Sequence, residues 1–296
     1  MSSSILNTLS SEAEVNALDG ARLIDLAKAT LLEDLGSGVD VTSVATIPDG
    51  QVALANFVSR ATGVVAGVNI AKIVIAMACE GEVEFIESLA EGAQLEPGTT
   101  VLSARGNSRG LLLAERSALN FLCHLSGIAT LTQRWVLQVA GTGTRIRDTR
   151  KTTPGLRDLE KFAVRMGGGT NHRLSLSDAA MIKDNHVLAS GGIGPAFEKI
   201  RKTFPDVPIE VEVDRIDQIP EALAAGADLI LLDNMNIEEC AKAVKFVAGK
   251  ARLEASGGIT LETARAYAET GVDYLAIGAL THSAPNLDIG LDLVVG

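Results

Sequence analysis

Short apolar runs alternate with amphipathic stretches along the chain from about residue 144 onward. The runs typical of β-strands are TRIRDT, DAAMIKDN, PIEVEVD, ADLILLD, ARLEASGG and VDYLAIG. Between them, apolar residues at helical spacing predict amphipathic helices over residues 218–225, 237–247 and 261–270. An alternation of strand and helix about every twenty residues indicates parallel β/α units, and the continuous apolar run LILL suits a strand that is buried on both faces.

Such β/α units fit either a barrel or an open, doubly wound sheet. Polar and small residues lie at or just after the C-terminal ends of successive predicted strands: Glu212, Asp233, Ser256, Gly257, Gly258 and Gly278. In a β/α barrel the active-site residues lie at that end of the strands. The predicted fold is therefore α/β, with a C-terminal β/α barrel, complete or incomplete, over residues 126–283.

The first part of the chain has a different pattern. Helices are predicted over residues 21–35 and 68–79 and strands over residues 51–60 and 82–89, with glycine and proline turns between them. This pattern predicts an N-terminal α+β sandwich domain over residues 1–125. A long helix then begins near Arg109 and leads toward the barrel. Residues 284–296 lack a further β/α unit and are expected to pack back on the first domain.

Composition narrows the class of protein. A chain of 296 residues with 47% hydrophobic content is long enough to bury a substantial core. The polar, acidic N-terminus and the interruption of the apolar stretch 64–79 by Asn69 and Lys72 predict neither a signal peptide nor a membrane span. The three cysteines lie far apart, so we expect no disulfide frame and no structural zinc, and a cytoplasmic location.

Positive charge is concentrated in one part of an acidic chain. The formal net charge is -11, yet residues 144–186, here called the basic island, contain nine Lys or Arg against five Asp or Glu. A local island favours a pocket for a compact anion over a nucleic-acid surface, where the cationic field extends over a whole face.

Common catalytic motifs do not explain the basic island. The sequence contains no GxGxxG opening a βαβ unit, no GxxxxGK[ST] and no HExxH. The run GGGTNHR within the island could present backbone N–H groups to an anion beside His172 and Arg173. Taken alone, the glycines are as compatible with a mobile turn, and His172 with a structural role.

One long run of the sequence resembles a known enzyme family. The run RDTRKTTPGLRDLEKFAVRMGGGTNHRLSLSDAAMIKDNH, with AERSALNFLCHLSGIAT before it and EVEVD, LLDN and ASGGI after it, resembles the quinolinate phosphoribosyltransferases, also called carboxylating nicotinate-nucleotide pyrophosphorylases. The resemblance extends over essentially the whole chain. It implies a pentosyltransferase that converts quinolinate and 5-phosphoribosyl-1-pyrophosphate, with Mg²⁺, into nicotinate mononucleotide, pyrophosphate and CO₂ on the de novo route to NAD.

The resemblance also implies roles for individual residues. Quinolinate is expected to contact Arg150, His172, Arg173 and Lys183, since guanidinium groups suit carboxylates. Arg116 is expected from the neighbouring subunit of a homodimer. Three catalytic residues are expected: Lys151 on the pyrophosphate side, and Glu212 and Asp233 at the ribose hydroxyls and near Mg²⁺, which is held mainly through the substrate. The 5-phosphate is expected at Ser256, Gly257, Gly258 and Gly278.

Two alternatives remain open at the level of the sequence. One is a related phosphoribosyltransferase that acts on a monocarboxylate such as nicotinate. The other is a non-catalytic barrel that binds an anion. The cations Arg116, Arg150, Arg173 and Lys183 favour two carboxylates on the substrate, and Arg147 is expected to lie too far down its strand to reach either substrate.

Overall fold

The computed structural model describes residues 2–295, which form the following helices and strands. The first half of the chain contains α1 (Ser2–Val15), α2 (Gly20–Leu35), α3 (Val41–Thr46), β1 (Val52–Ser59), β2 (Gly63–Val64), α4 (Val68–Ala78), β3 (Val83–Ser88), β4 (Gln94–Leu95), β5 (Thr100–Asn107) and α5 (Ser108–Gln138). The second half contains β6 (Arg145–Arg147), α6 (Arg157–Met166), β7 (Ala180–Ile182), α7 (Asp184–Ser190), α8 (Ile193–Thr203), β8 (Ile209–Val213), a 3-10 turn (Ile216–Gln218), α9 (Ile219–Ala225), β9 (Leu229–Asp233), α10 (Ile237–Val247), β10 (Arg252–Ser256), α11 (Leu261–Ala268), β11 (Tyr274–Ala276), α12 (Ala279–His282) and β12 (Ile289–Val295).

These elements belong to two compact units. The first unit contains residues 2–131, 158–167 and 284–295, and the second contains residues 132–157 and 168–283. None of the helices within residues 2–295 is both long and apolar enough to cross a lipid bilayer.

The first unit is built on an antiparallel sheet. Its four strands lie in the order β12, β1, β5, β3. Side chains of β1 alternate between buried and more exposed positions, and Phe57 is fully buried in the core. The C-terminal tail, which the sequence predicts to return to the first domain, forms β12 and runs antiparallel to β1, with Ile289 opposite Ser59.

The second unit is a parallel sheet with the connectivity of a β/α barrel. Its six strands lie in the order β6, β11, β10, β9, β8, β7, so the first and the last strand of the unit are neighbours. Thr170 forms one parallel bridge to Arg147 on β6 and takes the place of a strand between β6 and β7. Among the described residues no strand pairing joins Thr170 to β7. The expected barrel is thus confirmed in its incomplete form, and an open doubly wound sheet is excluded by the β6–β11 pairing.

The structure divides the chain differently from the boundaries that the sequence suggests. The predicted limit at residue 125 falls within α5, a continuous helix of 31 residues that has no local break in its pattern. Residues 158–167, predicted within the barrel domain, belong to the first unit. The reason is the packing of α6, whose Glu160 is fully buried, with Oε1 2.9 Å from Nε2 of His124.

Candidate functional site

A cavity of about 540 Å³ lies at the C-terminal ends of the second unit's strands. Parallel strands direct their carboxyl ends to one edge, so residues far apart in sequence meet there. Eleven residues predicted from the sequence line it: Arg150, Lys151, His172, Arg173, Lys183, Glu212, Asp233, Ser256, Gly257, Gly258 and Gly278. The structure therefore brings together every predicted site residue of the barrel.

One side of the cavity is cationic. Arg150 and Arg173 both line it, and the pKa of Arg173 is lowered, first by burial and then by the charge of Arg150. Nη1 of Arg173 donates to the backbone oxygen of Ala179 at 2.8 Å. Nε of Arg150 is buried and finds no hydrogen-bond partner within residues 2–295. Two guanidinium groups held together with an unused donor constitute a site for a carboxylate or another compact anion.

A second side of the cavity carries carboxylates. Glu212 is on β8, Asp233 ends β9, and Nζ of Lys183 forms an ion pair with Glu212. Burial raises the pKa of both carboxyls, the Lys183 charge opposes this shift, and Asp214 adds to it in each case. Buried carboxylates that lie this close together are stabilised when a cation binds them or when hydroxyl groups of a ligand donate hydrogen bonds to them.

The end of β10 leaves room for a ligand because it lacks side chains. Gly257 has φ +94° and Gly258 has φ +65°, both in the left-handed region that glycine adopts without strain. A Cβ atom on Gly257 would lie 2.1 Å from Oδ1 of Asn234, so only glycine fits there. Gly278 lies against the aliphatic part of Lys151, where a Cβ would come within 3.1 Å of Cδ. Lys151 itself is exposed and reaches the same part of the cavity.

The structure adds a residue that sequence reasoning missed. His282, at the end of the short helix α12, also lines the cavity, and its Nδ1 lies 2.6 Å from Oγ of Ser283. No motif surrounds it, and a lone histidine near the end of a chain carries no signal of its own.

His172 is placed differently from the other predicted ligands. Its backbone N–H donates to Oδ1 of Asp148 at 2.8 Å, and its ring Nδ1 accepts from the backbone N–H of Arg173 at 2.7 Å. The other ring nitrogen, Nε2, lies 2.8 Å from Oε2 of Glu210. Both ring nitrogens are engaged by the protein, so contact between His172 and a ligand is restricted to the carbon edge of the ring.

Arg147 and Arg116 lie outside the set of residues that line the cavity. Arg147 contacts the carboxylate of Glu254 and stacks 4.4 Å from the ring centre of Tyr274, in agreement with its expected position below the substrates. Arg116 is exposed on α5 in the first unit, whereas the lining residues belong to the second unit.

Comparisons with known proteins agree over nearly the whole chain. The model of the quinolinate phosphoribosyl transferase C-terminal domain matches residues 128–292, and that of the N-terminal domain matches residues 40–126. The carboxylating nicotinate-nucleotide pyrophosphorylase of Mycobacterium leprae (strain TN) is 49% identical over 280 residues, which cover 93% of this chain and 98% of that protein.

Solved structures show the same similarity. NadC from Streptococcus pyogenes has a TM-score of 0.89 and 40% identity, and the alignment covers 94% of this chain and 99% of that one. The nicotinate-nucleotide pyrophosphorylase from Ehrlichia chaffeensis has a TM-score of 0.86 and 40% identity, and the alignment covers 91% and 97% of the two chains.

Proposed function

The chain belongs to the quinolinate phosphoribosyl transferase family, and on that premise we propose how the residues of its cavity divide the work of the family's reaction. The enzyme transfers the phosphoribosyl group of 5-phosphoribosyl-1-pyrophosphate to quinolinate with decarboxylation. The products are nicotinate mononucleotide, pyrophosphate and CO₂, and the reaction belongs to de novo NAD biosynthesis.

Quinolinate binds at Arg150 and Arg173 on the cationic side of the cavity and extends to Lys183, which is paired with Glu212 on the second side. The observation that carries this assignment is that Nε of Arg150 is buried and, within residues 2–295, has no hydrogen-bond partner, in a cavity shared with Arg173. Two adjacent carboxylates on the substrate relieve the repulsion between the two guanidinium groups and use donors that the protein leaves unpaired. His172 contributes the carbon edge of its ring.

The second substrate lies along the opposite side of the cavity. Lys151 faces the pyrophosphate, and Glu212 and Asp233 accept hydrogen bonds from the ribose hydroxyls. The 5-phosphate occupies the space left by Ser256, Gly257, Gly258 and Gly278, where a bulkier residue at position 257 would meet Asn234. His282 lies near Gly278, with Nε2 3.2 Å from the position of a Cβ there, and it faces the same phosphate.

The carboxylates of the cavity also fit Mg²⁺. Glu212 and Asp233 carry hard oxygen ligands on neighbouring strands, and burial raises the pKa of each carboxyl. Mg²⁺ usually keeps several waters and bridges substrate phosphates, so few protein ligands are needed. When bound, the ion supplies positive charge that offsets the charge of the pyrophosphate.

The chemistry requires charge placement and no covalent intermediate with the protein. As the bond from ribose C1 to the pyrophosphate oxygen breaks, Lys151 offsets the negative charge on the departing group, and the pyridine nitrogen bonds to C1. The resulting pyridinium nitrogen withdraws the electron pair of the adjacent carbon–carboxylate bond, CO₂ leaves, and the ring carbon takes up a proton. Arg150 and Arg173 hold the ring in line with C1 throughout.

The active unit is a homodimer in which Arg116 reaches the quinolinate site of the neighbouring subunit. Support comes from the exposure of Arg116 on α5 of the first unit and from the fact that it is not among the residues that line the cavity of the second unit. The three cysteines are unpaired, which agrees with a reducing compartment such as the cytoplasm.

Substrate choice tests this function directly. Purified protein is given 5-phosphoribosyl-1-pyrophosphate and Mg²⁺ with either quinolinate or nicotinate, and nucleotide is measured. Product from quinolinate is the expected result. Product from nicotinate alone would reassign the chain to a monocarboxylate, and binding of either acid without turnover would point to an anion-binding barrel.

A further inference from the structure

The layer of the barrel beneath the cavity is charged. Three charged residues lie one step below the cavity: Arg147, Glu210 and Glu254. Each precedes by two positions a residue that lines the cavity at the same strand or its end, namely Thr149, Glu212 and Ser256 respectively. Residues two apart on a strand point to the same face, so these three side chains enter the barrel interior. Barrels usually fill this layer with branched apolar residues. Here Glu210 is 4% exposed and Glu254 is fully buried.

The charges of this layer converge on one imidazole. Nε2 of His172 lies 2.8 Å from Oε2 of Glu210 and 3.4 Å from Oε1 of Glu254. The guanidinium of Arg147 contacts the other oxygen of Glu254. His172, Glu210 and Glu254 have ligand atoms close enough for a metal ion to bridge, but Arg147 already supplies the cation. The arrangement is therefore a network of close charged contacts around the ring, and we assign no metal to it.

The other ring nitrogen of His172 connects this network to the substrate side. Nδ1 accepts the backbone N–H of Arg173 at 2.7 Å, and an imidazole nitrogen accepts a hydrogen bond only when it carries no proton. Nε2 must then carry the proton, and the carboxylate oxygen of Glu210 that faces it can accept a hydrogen bond from that position. The glutamates thereby select the tautomer that leaves Nδ1 free to accept.

Arg173 depends on such a contact because its main chain lies in an irregular segment. Between the bridge at Thr170 and the start of β7, the described chain has neither helix nor strand. The backbone there is held by side chains: Asp148 accepts from the N–H of His172, and His172 accepts from the N–H of Arg173. These two bonds hold the main chain from which the Arg173 side chain extends, and its guanidinium donates to the backbone oxygen of Ala179.

We propose that Glu210 and Glu254 are positioning residues for Arg173, acting through His172: they impose the Nε2–H tautomer, which anchors the Arg173 main chain and aims its guanidinium at quinolinate. The aim at quinolinate rests on the proposed function, whereas the tautomer and the anchor do not. Stability alone does not account for the network, because replacing buried ion pairs by apolar residues is often neutral or stabilising.

Glu210→Gln and Glu254→Gln test the proposal. The amide of glutamine keeps the shape of the side chain but can donate as well as accept, so it no longer imposes one tautomer. Glu160→Gln is the matched control, because Glu160 is also fully buried and contacts a histidine, His124, at 2.9 Å in the first unit. Glu210→Gln and Glu254→Gln should each have a KM for quinolinate that is about tenfold or more higher, a typical loss when a partner that orients a site residue is removed. The KM for 5-phosphoribosyl-1-pyrophosphate should change less than twofold by the same reasoning.

The tautomer of His172 can be measured without substrate, so this part of the proposal is tested independently of the proposed function. The chain has four histidines, so ¹⁵N-histidine labelling with a His172→Gln variant for assignment isolates the ring of His172 in NMR spectra. The intact protein should show a protonated Nε2 and an unprotonated Nδ1, and Glu210→Gln should show a mixture of tautomers. A protonated Nδ1 in the intact protein, or a quinolinate KM that rises no more in Glu210→Gln and Glu254→Gln than in Glu160→Gln, overturns the proposal. Intact protein that has the expected tautomer but no quinolinate turnover would instead refute the proposed function.

Discussion

The guanidinium groups of Arg150 and Arg173 share one cavity, and the pKa of Arg173 is lowered by burial and then by the charge of Arg150. The charges of Glu210, Asp178 and Glu212 oppose this shift. Nε of Arg150 is nevertheless buried and has no hydrogen-bond partner among the described residues. We propose that a carboxylate of the dicarboxylate substrate is the partner of this donor.

Arg173→Ala should weaken quinolinate use far more than it weakens the fold. The loss should be about 2–4 kcal/mol in kcat/KM, by analogy with the removal of an oxyanion donor. The melting temperature should change little, because the substitution also removes repulsion with Arg150. Steady-state kinetics and thermal unfolding check both parts, with Arg201→Ala on α8 as an exposed control. A collapse of the melting temperature would make Arg173 a structural residue.

Arg116→Ala and Lys151→Ala should each be inactive alone and partly active when mixed. If Arg116 serves the neighbouring subunit, a mixed dimer assembles one intact site from two defective chains. Activity after subunit exchange, with exchange followed by a mass tag on one variant, measures this effect. Demonstrated exchange without any recovery would contradict the shared site.

Glu254→Gln should change how stability depends on pH. Burial, followed by the charge of Glu210, raises the pKa of Glu254 from 4.5 to about 7. A carboxyl whose pKa is higher in the folded protein contributes stability that is fully present below its unfolded pKa and is lost as the pH rises through its folded pKa. The intact protein should lose this contribution between pH 4.5 and about 7, and the variant should not.

Melting temperatures of both proteins across that pH range test the prediction, with Glu198→Gln as an exposed control. The difference between Glu254→Gln and the intact protein should shift in favour of the variant as the pH rises. Parallel pH curves would show that Glu254 does not titrate in this range.

Gly257→Ala should raise the KM for 5-phosphoribosyl-1-pyrophosphate. The new Cβ would lie 2.1 Å from Oδ1 of Asn234 at a φ of +94°, so the loop after β10 must move. Gly249→Ala is the matched control, because it also has a positive φ, +78°, but has open space around the new Cβ. Both variants should lose about 1–2 kcal/mol of stability from backbone strain. Equal KM values in the two variants would remove the phosphate site from this loop.

Periodicity predicted much of the barrel because its helices have one apolar face. The predicted helix over residues 237–247 coincides with α10, and α11 falls within the predicted 261–270. The barrel residues of the candidate site could be found because the ends of parallel strands meet at one edge. Their individual roles came from the resemblance to a known family, because periodicity predicts where residues lie and not what they bind.

Other features could not be predicted from local pattern. The alternation IEVEV in β8 is typical of a strand with solvent-facing glutamates, yet barrel closure turns Glu210 inward beneath the cavity. The placement of His172 depends on Glu210, which contacts its ring, and on Asp148, which accepts from its backbone N–H. These two residues come from different strands or loops and are brought together only by the fold. The assignment of α6 to the first unit likewise depends on a tertiary contact, that of Glu160 with His124.

The central claim is that phosphoribosyl transfer to the ring nitrogen precedes and drives decarboxylation of quinolinate. Release of labelled CO₂ from quinolinate that carries ¹⁴C in the carboxylate next to the ring nitrogen measures this most directly. We expect release only when 5-phosphoribosyl-1-pyrophosphate is present, with one nicotinate mononucleotide formed per CO₂, because the pyridinium nitrogen is the electron sink. Labelled CO₂ released without 5-phosphoribosyl-1-pyrophosphate, or nucleotide formed with the label retained, would contradict the account.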